Sequence, residues 1–367
     1  MPLLQTKPAA SCAYDIAALG EVMLRLDPGF NRVRTTRRFD VWDSGAEYNV
    51  ARAFAKGFGL RGALVSAFAD NEVGRLLEDI ILSSKLDLSF VQWKPYDGIG
   101  ANTRNGLNFA ERGIGVRGAL GCVDRANTAI SQLRPQDIDL DELFVRRGVR
   151  WFHTGGIMAG LSEQAAQTTL ALIRAAKASG AVVSYDLNYR PTLWKVRGGI
   201  QTCREVNRAC VAEVDVVLGN EEDFSVCLGL DTAADESFRH LDVDAYKAMV
   251  RRAATQFPRL QAVGVTLRQV VSATVNDWGA LAWLREGDRF AEATWRPGME
   301  IFDRLGGGDS FASGFCYGLM YLDDLTTAVE YGAANGALAQ TTPGDTTTAT
   351  LAEVAKLAAG ASARVTR

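Results

Sequence analysis

The chain of 367 residues is 47% hydrophobic and 23% charged, an ordinary soluble composition with room for one large α/β domain or two smaller ones. Its 40 Lys and Arg against 43 Asp and Glu leave a formal charge of −3. That balance lacks the basic excess selected by a nucleic acid or an anionic membrane, so neither is expected as a partner.

Residues 1–13 carry one Lys and no long apolar core, and read as a flexible tail rather than a signal peptide or anchor. No apolar run approaches membrane-spanning length. "DIAALGEVMLRL" (15–26) reads as the first strand and "GAEYNVARAFAKGFG" (45–59) as a helix with Ala46, Val50, Phe54 and Phe58 on one face. "GALVSAFA" (62–69), "AVVSYDLN" (181–188), "VDVVLGNEEDF" (214–224) and "AVGVTLR" (262–268) are strand-like and alternate with helical stretches. The last 50 or so residues are mostly Ala-rich helix broken at "TTPGDTT" (341–347). This order predicts an α/β fold built on a mainly parallel sheet covered by helices on both faces. Two stretches break the alternation. Residues 23–44 and 98–126 are rich in Gly, Arg and Asn, and read as inserted antiparallel pieces forming one small projecting sheet. The six cysteines (12, 122, 203, 210, 227 and 316) are scattered without metal-ligand spacing, and suit buried thiols in a reducing cytoplasm. His153 and His240 read as structural.

Polar clusters follow the predicted strands at once. Asp186, Asn188 and Arg190 follow "VVSY"; Asn220, Glu221 and Asp223 follow "VDVVLG"; Arg268 follows "GVTL". A fourth cluster is "FDRLGGGDSFASGF" (302–315), where Gly306, Gly307 and Gly308 precede Asp309 and an amphipathic run through Phe311, Phe315 and Leu319. A helix starting there aims free N–H groups at the turn, which is an anion site. Each cluster alone could be a cap, a turn or a surface ion pair. In open parallel sheets ligands bind beyond the carboxyl ends of the strands. Four clusters there, with acids suited to Mg²⁺ and two arginines, point to a phosphate ester handled with a metal.

"DRLGGGDSFASG" resembles the carboxyl-terminal signature of the ribokinase-like (PfkB) carbohydrate kinases, and "SGAEYNVARAFAKGF" their amino-terminal one. "GEVMLRLDP", "DLNYRPTLW", "GNEEDF", "VTLRQVVSATVNDW" and "TTPGD" sharpen the resemblance toward the 2-keto-3-deoxygluconate kinases. It implies a three-layer sandwich, with 14–22, 45–97 and 127–367 as the α/β core and 23–44 and 98–126 as a β lid. It also implies phosphorylation of a sugar hydroxyl by ATP and Mg²⁺. Asp309 would be the base, and the N–H groups of Gly306, Gly307 and Gly308 the anion hole. Gly45, Asn49, Arg125 and Arg190 would meet the acceptor, the arginines its carboxylate. Asn188, Asn220, Thr266, Arg268 and Asn335 would serve the nucleotide, and Asp223 with Glu221 the metal. Arg25 stands where ribose and adenosine kinases carry an acid, which suits an acidic sugar.

Ser44 and Tyr48 depart from the amino-terminal signature. Val123 and Asn108 replace two tyrosines of the branch, so the acceptor pocket is altered while the catalytic end is intact. A small-molecule sugar or sugar acid is the expected ligand, with a homodimer or higher homo-oligomer formed through the lid. Two other readings stay open: a kinase of a neutral ketose such as fructose, and a non-catalytic sugar-binding regulator on the same fold.

Overall fold

The computed structural model describes residues 1–230 and 242–361, so His240 lies outside the described residues. In chain order the strands are β1 (Tyr14–Leu19), β2 (Met23–Asp27), β3 (Asp40–Ser44), β4 (Gly62–Ala69), β5 (Asp87–Lys94), β6 (Leu107–Glu111) and β7 (Leu120–Asp124). They continue as β8 (Val149–Gly155), β9 (Val182–Asp186), β10 (Val216–Gly219), β11 (Ala262–Ser272), β12 (Val275–Leu284), β13 (Arg289–Glu292) and β14 (Arg296–Glu300).

Ten strands form one sheet, ordered β13-β12-β11-β10-β9-β8-β1-β4-β5, with β14 also on β12. Neighbours from β5 to β11 run parallel; β12, β13 and β14 add an antiparallel edge. Strands covered on both faces read as continuous apolar runs, and every residue of β1 and β4 is buried. Within β4 the side chains alternate: Ala63, Val65 and Ala67 join one core layer, Leu64 and Phe68 the other. Helices Glu163–Ala178, Gly199–Val211 and Val243–Gln256 supply the first layer. Helices Ala46–Arg52, Glu72–Leu82, Gly307–Tyr321 and Leu325–Ala339 supply the second.

A separate four-stranded sheet is ordered β3-β2-β6-β7, with β2 and β6 parallel and both outer pairs antiparallel. The single strand expected over 15–26 is therefore two. Gly20 and Glu21 carry the chain from the large sheet to the small one. The tail expected to be flexible is instead tied down. Leu3 and Leu4 donate their N–H groups to Leu322 and Leu319, Leu4 is buried, and Arg150 bonds the carbonyl of Lys7. All six cysteines are free thiols; five are buried, but Cys122 on β7 is exposed. His153 is buried against the Ser184 hydroxyl at 2.8 Å, and burial holds its imidazole down at about 3, a neutral structural residue. No helix among the described residues is long and apolar enough to cross a membrane.

Candidate active site

A cavity of about 650 Å³ opens at the carboxyl ends of β9, β10 and β11, with the small sheet on its other side. Its floor is the glycine turn. Gly306 has φ of 76°, and a Cβ there would sit 1.6 Å from the backbone oxygen of Asp345, so only glycine fits. The helix Gly307–Tyr321 begins at once. Among the described residues the amides of Gly306, Gly307 and Gly308 have no backbone acceptor, and they point from the positive end of the helix dipole.

Asp309 lies in the first turn of this helix, buried, with its Oδ2 accepting a 2.7 Å bond from the side-chain amide of Asn49. Burial pushes its carboxyl up to about 6; the Asn49 bond pulls it down and Asp345 adds to the rise. Asn49 comes from the helix that starts behind Gly45. A Cβ on Gly45 would lie 2.0 Å from the carbonyl of Glu21, so glycine lets the two segments touch.

Gly45, Asn49, Asn108, Val123, Arg125 and Arg190 line the cavity. Asn108 and Val123, the two departures from the branch pattern, are directly paired across β6 and β7. Arg125 is engaged with Glu21 through Nε at 2.9 Å and Nη2 at 2.6 Å. Arg190 is exposed and spends one N–H on the carbonyl of Tyr189.

Asn188, Asn220, Glu221, Thr266, Arg268 and Arg304 line the same cavity. Asn188 has φ of 39°, a left-handed conformation that a non-glycine residue seldom adopts. Asp223 reaches the same cavity, but its oxygens accept the N–H groups of Tyr189 and Asn220 at 2.8 Å each. It closes a capping box with Asn220, which takes one lone pair of each oxygen. Burial raises the Glu221 carboxyl above its ordinary range. No three His, Cys, Asp or Glu side chains among the described residues gather as a metal cage.

Two sequence-based placements fail. Asn335 does not line the cavity: it is fully buried, with its amide on Ser310 and Ser313 and its oxygen accepting from Thr347. Arg25 does not face an acceptor either. It is fully buried behind the glycine turn, where it pairs with Asp27, Asp303 and Asp345. A cation with three carboxylates around it has no charge left for a substrate.

Sequence reasoning assigned no role to Asp186, the last residue of β9. Its side chain is buried at the cavity wall and accepts no hydrogen bond among the described residues. Burial, with Asp223 and Asp309 nearby, raises its carboxyl well above the usual range. Glu47 was missed too: it is buried, accepts the N–H of Met158, and is pushed up to about 7 by burial. Trp278 and Gln340 complete the wall.

Residues 15–351 match the model of the pfkB family carbohydrate kinases. A 2-dehydro-3-deoxygalactonokinase of Haloferax volcanii is 29% identical over 360 residues, 96% of this chain and 99% of that one. A 5-dehydro-2-deoxygluconokinase of Geobacillus kaustophilus is 27% identical, covering 91% of this chain and 88% of its own. Among solved structures, 2-dehydro-3-deoxygluconokinase from Thermotoga maritima superposes with a TM-score of 0.85 at 30% identity, over 94% of this chain and 99% of that one. A ribokinase II from E. coli, described as putative and in complex with ATP and Mg²⁺, shares the fold at a TM-score of 0.71 and 17% identity, over 93% and 97%.

Proposed function

The chain belongs to the pfkB family of carbohydrate kinases, and from that premise we propose that it transfers the terminal phosphoryl group of ATP to a hydroxyl of 2-keto-3-deoxygluconate or a related sugar acid. The observation that carries this reading is Asp309: a buried carboxylate, held by Asn49, beside three amides with no backbone acceptor among the described residues, at a helix start. A sugar hydroxyl is a poor nucleophile until its proton leaves, and a base of pKa about 6 can take that proton near neutral pH. The Gly306, Gly307 and Gly308 amides face the charge growing on the transferred group and need no reorganisation to meet it.

For Mg²⁺ the fit rests on Asp186. A buried carboxylate crowded by Asp223 and Asp309, with its oxygens uncommitted, is relieved by a cation in the cavity. Asp186 would hold the ion, and Asp223, occupied as a cap, would act through water. Mg²⁺ commonly takes one or two carboxylates and completes its shell with water and phosphates, where it neutralises phosphate charge. Arg268 and Arg304, which also line the cavity, suit the remaining phosphate charge.

The acidic acceptor is supported by Arg190, by Arg125 once it shares or leaves Glu21, and by the activities named for the relatives. Arg25 lends no support. A neutral ketose offers Arg190 no carboxylate, and a regulator has no use for a positioned base. ADP release measured over a panel of sugars and sugar acids separates these readings. Turnover confined to acids supports ours; a neutral hexose as best acceptor, or no turnover at all, overturns it.

A further inference from the structure

We propose that Arg25 is a positioning residue that fixes the anion-hole turn to the lid, so that the acceptor and phosphoryl halves of the site move as one unit. This rests on the kinase reading above. Arg25 belongs to lid strand β2, and in register it lies beside Asn108, which lines the cavity. Its Nη1 meets Asp345 at 2.5 Å; its Nη2 meets Asp303 at 2.5 Å and Asp27 at 3.1 Å. All four side chains are buried or nearly so.

The two distant partners flank the turn. Asp303 opens it, and its second oxygen accepts the N–H of Leu305 at 3.2 Å. Asp345 packs its backbone oxygen against Gly306, and its other carboxylate oxygen accepts from the hydroxyl of Ser44, the residue before Gly45. Phe302 and Asp303 also donate their N–H groups to the carbonyl of Gln340. A second lid arginine reinforces the grip: Arg112 pairs with Asp27 at 3.2 Å and lies 4.6 Å over the ring of Phe302.

Strand β2 and the segment just after β6 thus hold one turn through cations, and Ser44 shares the Asp345 carboxylate. Stability alone does not require this arrangement, because a buried ion cluster is often matched or bettered by apolar packing. What a planar guanidinium supplies is geometry: it spans carboxylates on separate segments and fixes their spacing. An ammonium is a point charge and cannot hold that span.

Arg25→Lys is the test. We expect kcat to fall roughly 10²-fold, the scale of a 1 Å misplacement, with KM for ATP and for the sugar acid nearly unchanged. Amide hydrogen exchange should rise at Phe302, Asp303 and Leu305, whose N–H groups are hydrogen-bonded around the turn, while protection in β1 and β4 stays as in the parent. If Arg25→Lys does not fold, Ser44→Ala removes only one arm on Asp345 and should raise exchange at the same three amides, with kcat down roughly 5-fold. Unchanged kcat, or a loss that is global with no local rise in exchange, overturns the clamp. An inactive parent protein would sink the kinase reading, whereas the exchange measurement would still decide the clamp.

Discussion

Asn49 reaches across 260 residues of chain to donate its side-chain amide to Asp309 at 2.7 Å. The bond favours the charged carboxylate and opposes the burial that pushes Asp309 up to about 6. Removing it in Asn49→Ala should raise that pKa further. The acid limb of the kcat profile, set by loss of the ionised base, should then move to higher pH. A limb that stays in place would show that the bond does not tune the base.

Asp309→Asn should fold and bind ATP almost normally while kcat drops roughly 10²- to 10⁴-fold. The parent enzyme should lose activity as pH falls through about 6. Stability should respond with the opposite sign. The unfolded carboxyl releases its proton near 3.8 and the folded one near 6, so between those values the folded state binds more protons. This group therefore stabilises the fold more as pH falls through that window, and Asp309→Asn should remove the effect. Near-normal turnover by the variant would remove the catalytic assignment.

The glycine turn was legible because everything that makes it is local: three glycines, an acid and a helical apolar pattern within fourteen residues. The alternating strands were legible for the same reason. Arg25 was not, because a lone cation in a strand looks free until the fold brings Asp303 and Asp345 to it. Asn335 sits in an Ala-rich helix, and its partners Ser310, Ser313 and Thr347 belong to other segments. Asp223 could have been found: Asn-Glu-Glu-Asp after a strand is a capping box, a local signal that competes with metal binding. Asp186 had a weaker signal, an acid at the carboxyl end of a buried strand, among several polar neighbours.

Gly306 and Gly308 should tolerate alanine very differently. At Gly306 a Cβ meets the Asp345 oxygen at 1.6 Å in a left-handed backbone, and the conformation alone costs about 1–2 kcal/mol. At Gly308 the added methyl finds open space. Gly306→Ala should lower Tm and abolish turnover, and Gly308→Ala should fold with an unchanged Tm. Equal Tm values for the two variants would contradict the turn geometry.

We expect the small sheet to pair with a second copy of the chain. Both edge strands, β3 and β7, are open, and Val41 and Leu120 are 41% and 47% exposed. Open edges with apolar side chains favour association. Light scattering should give a mass of about twice 39.7 kDa. A monomer at micromolar concentration would exclude the pairing.

Asn108 and Val123 face each other across β6 and β7, and both line the cavity. The resemblance to the 2-keto-3-deoxygluconate kinases implies tyrosine at both places. Here one cross-strand pair has lost two hydroxyls and much of its apolar wall. Val123 is 47% exposed, so its side chain leaves space beside the cavity rather than filling it. A site built around a substrate hydroxyl loses discrimination when its partner groups are gone. Each lost hydrogen bond to a neutral group costs about 0.5–1.5 kcal/mol, or roughly 2- to 13-fold in affinity. We therefore expect a bulkier or differently configured sugar acid to be preferred, or 2-keto-3-deoxygluconate to bind weakly. Asn108→Tyr combined with Val123→Tyr should lower the KM for 2-keto-3-deoxygluconate. Arg190→Lys should raise KM for every acidic acceptor, because an ammonium cannot make the two-pronged contact with a carboxylate. A micromolar KM for 2-keto-3-deoxygluconate in the unaltered protein would refute the altered pocket. Arg190→Lys without effect on acids, alongside a neutral hexose as best acceptor, would refute the acidic substrate.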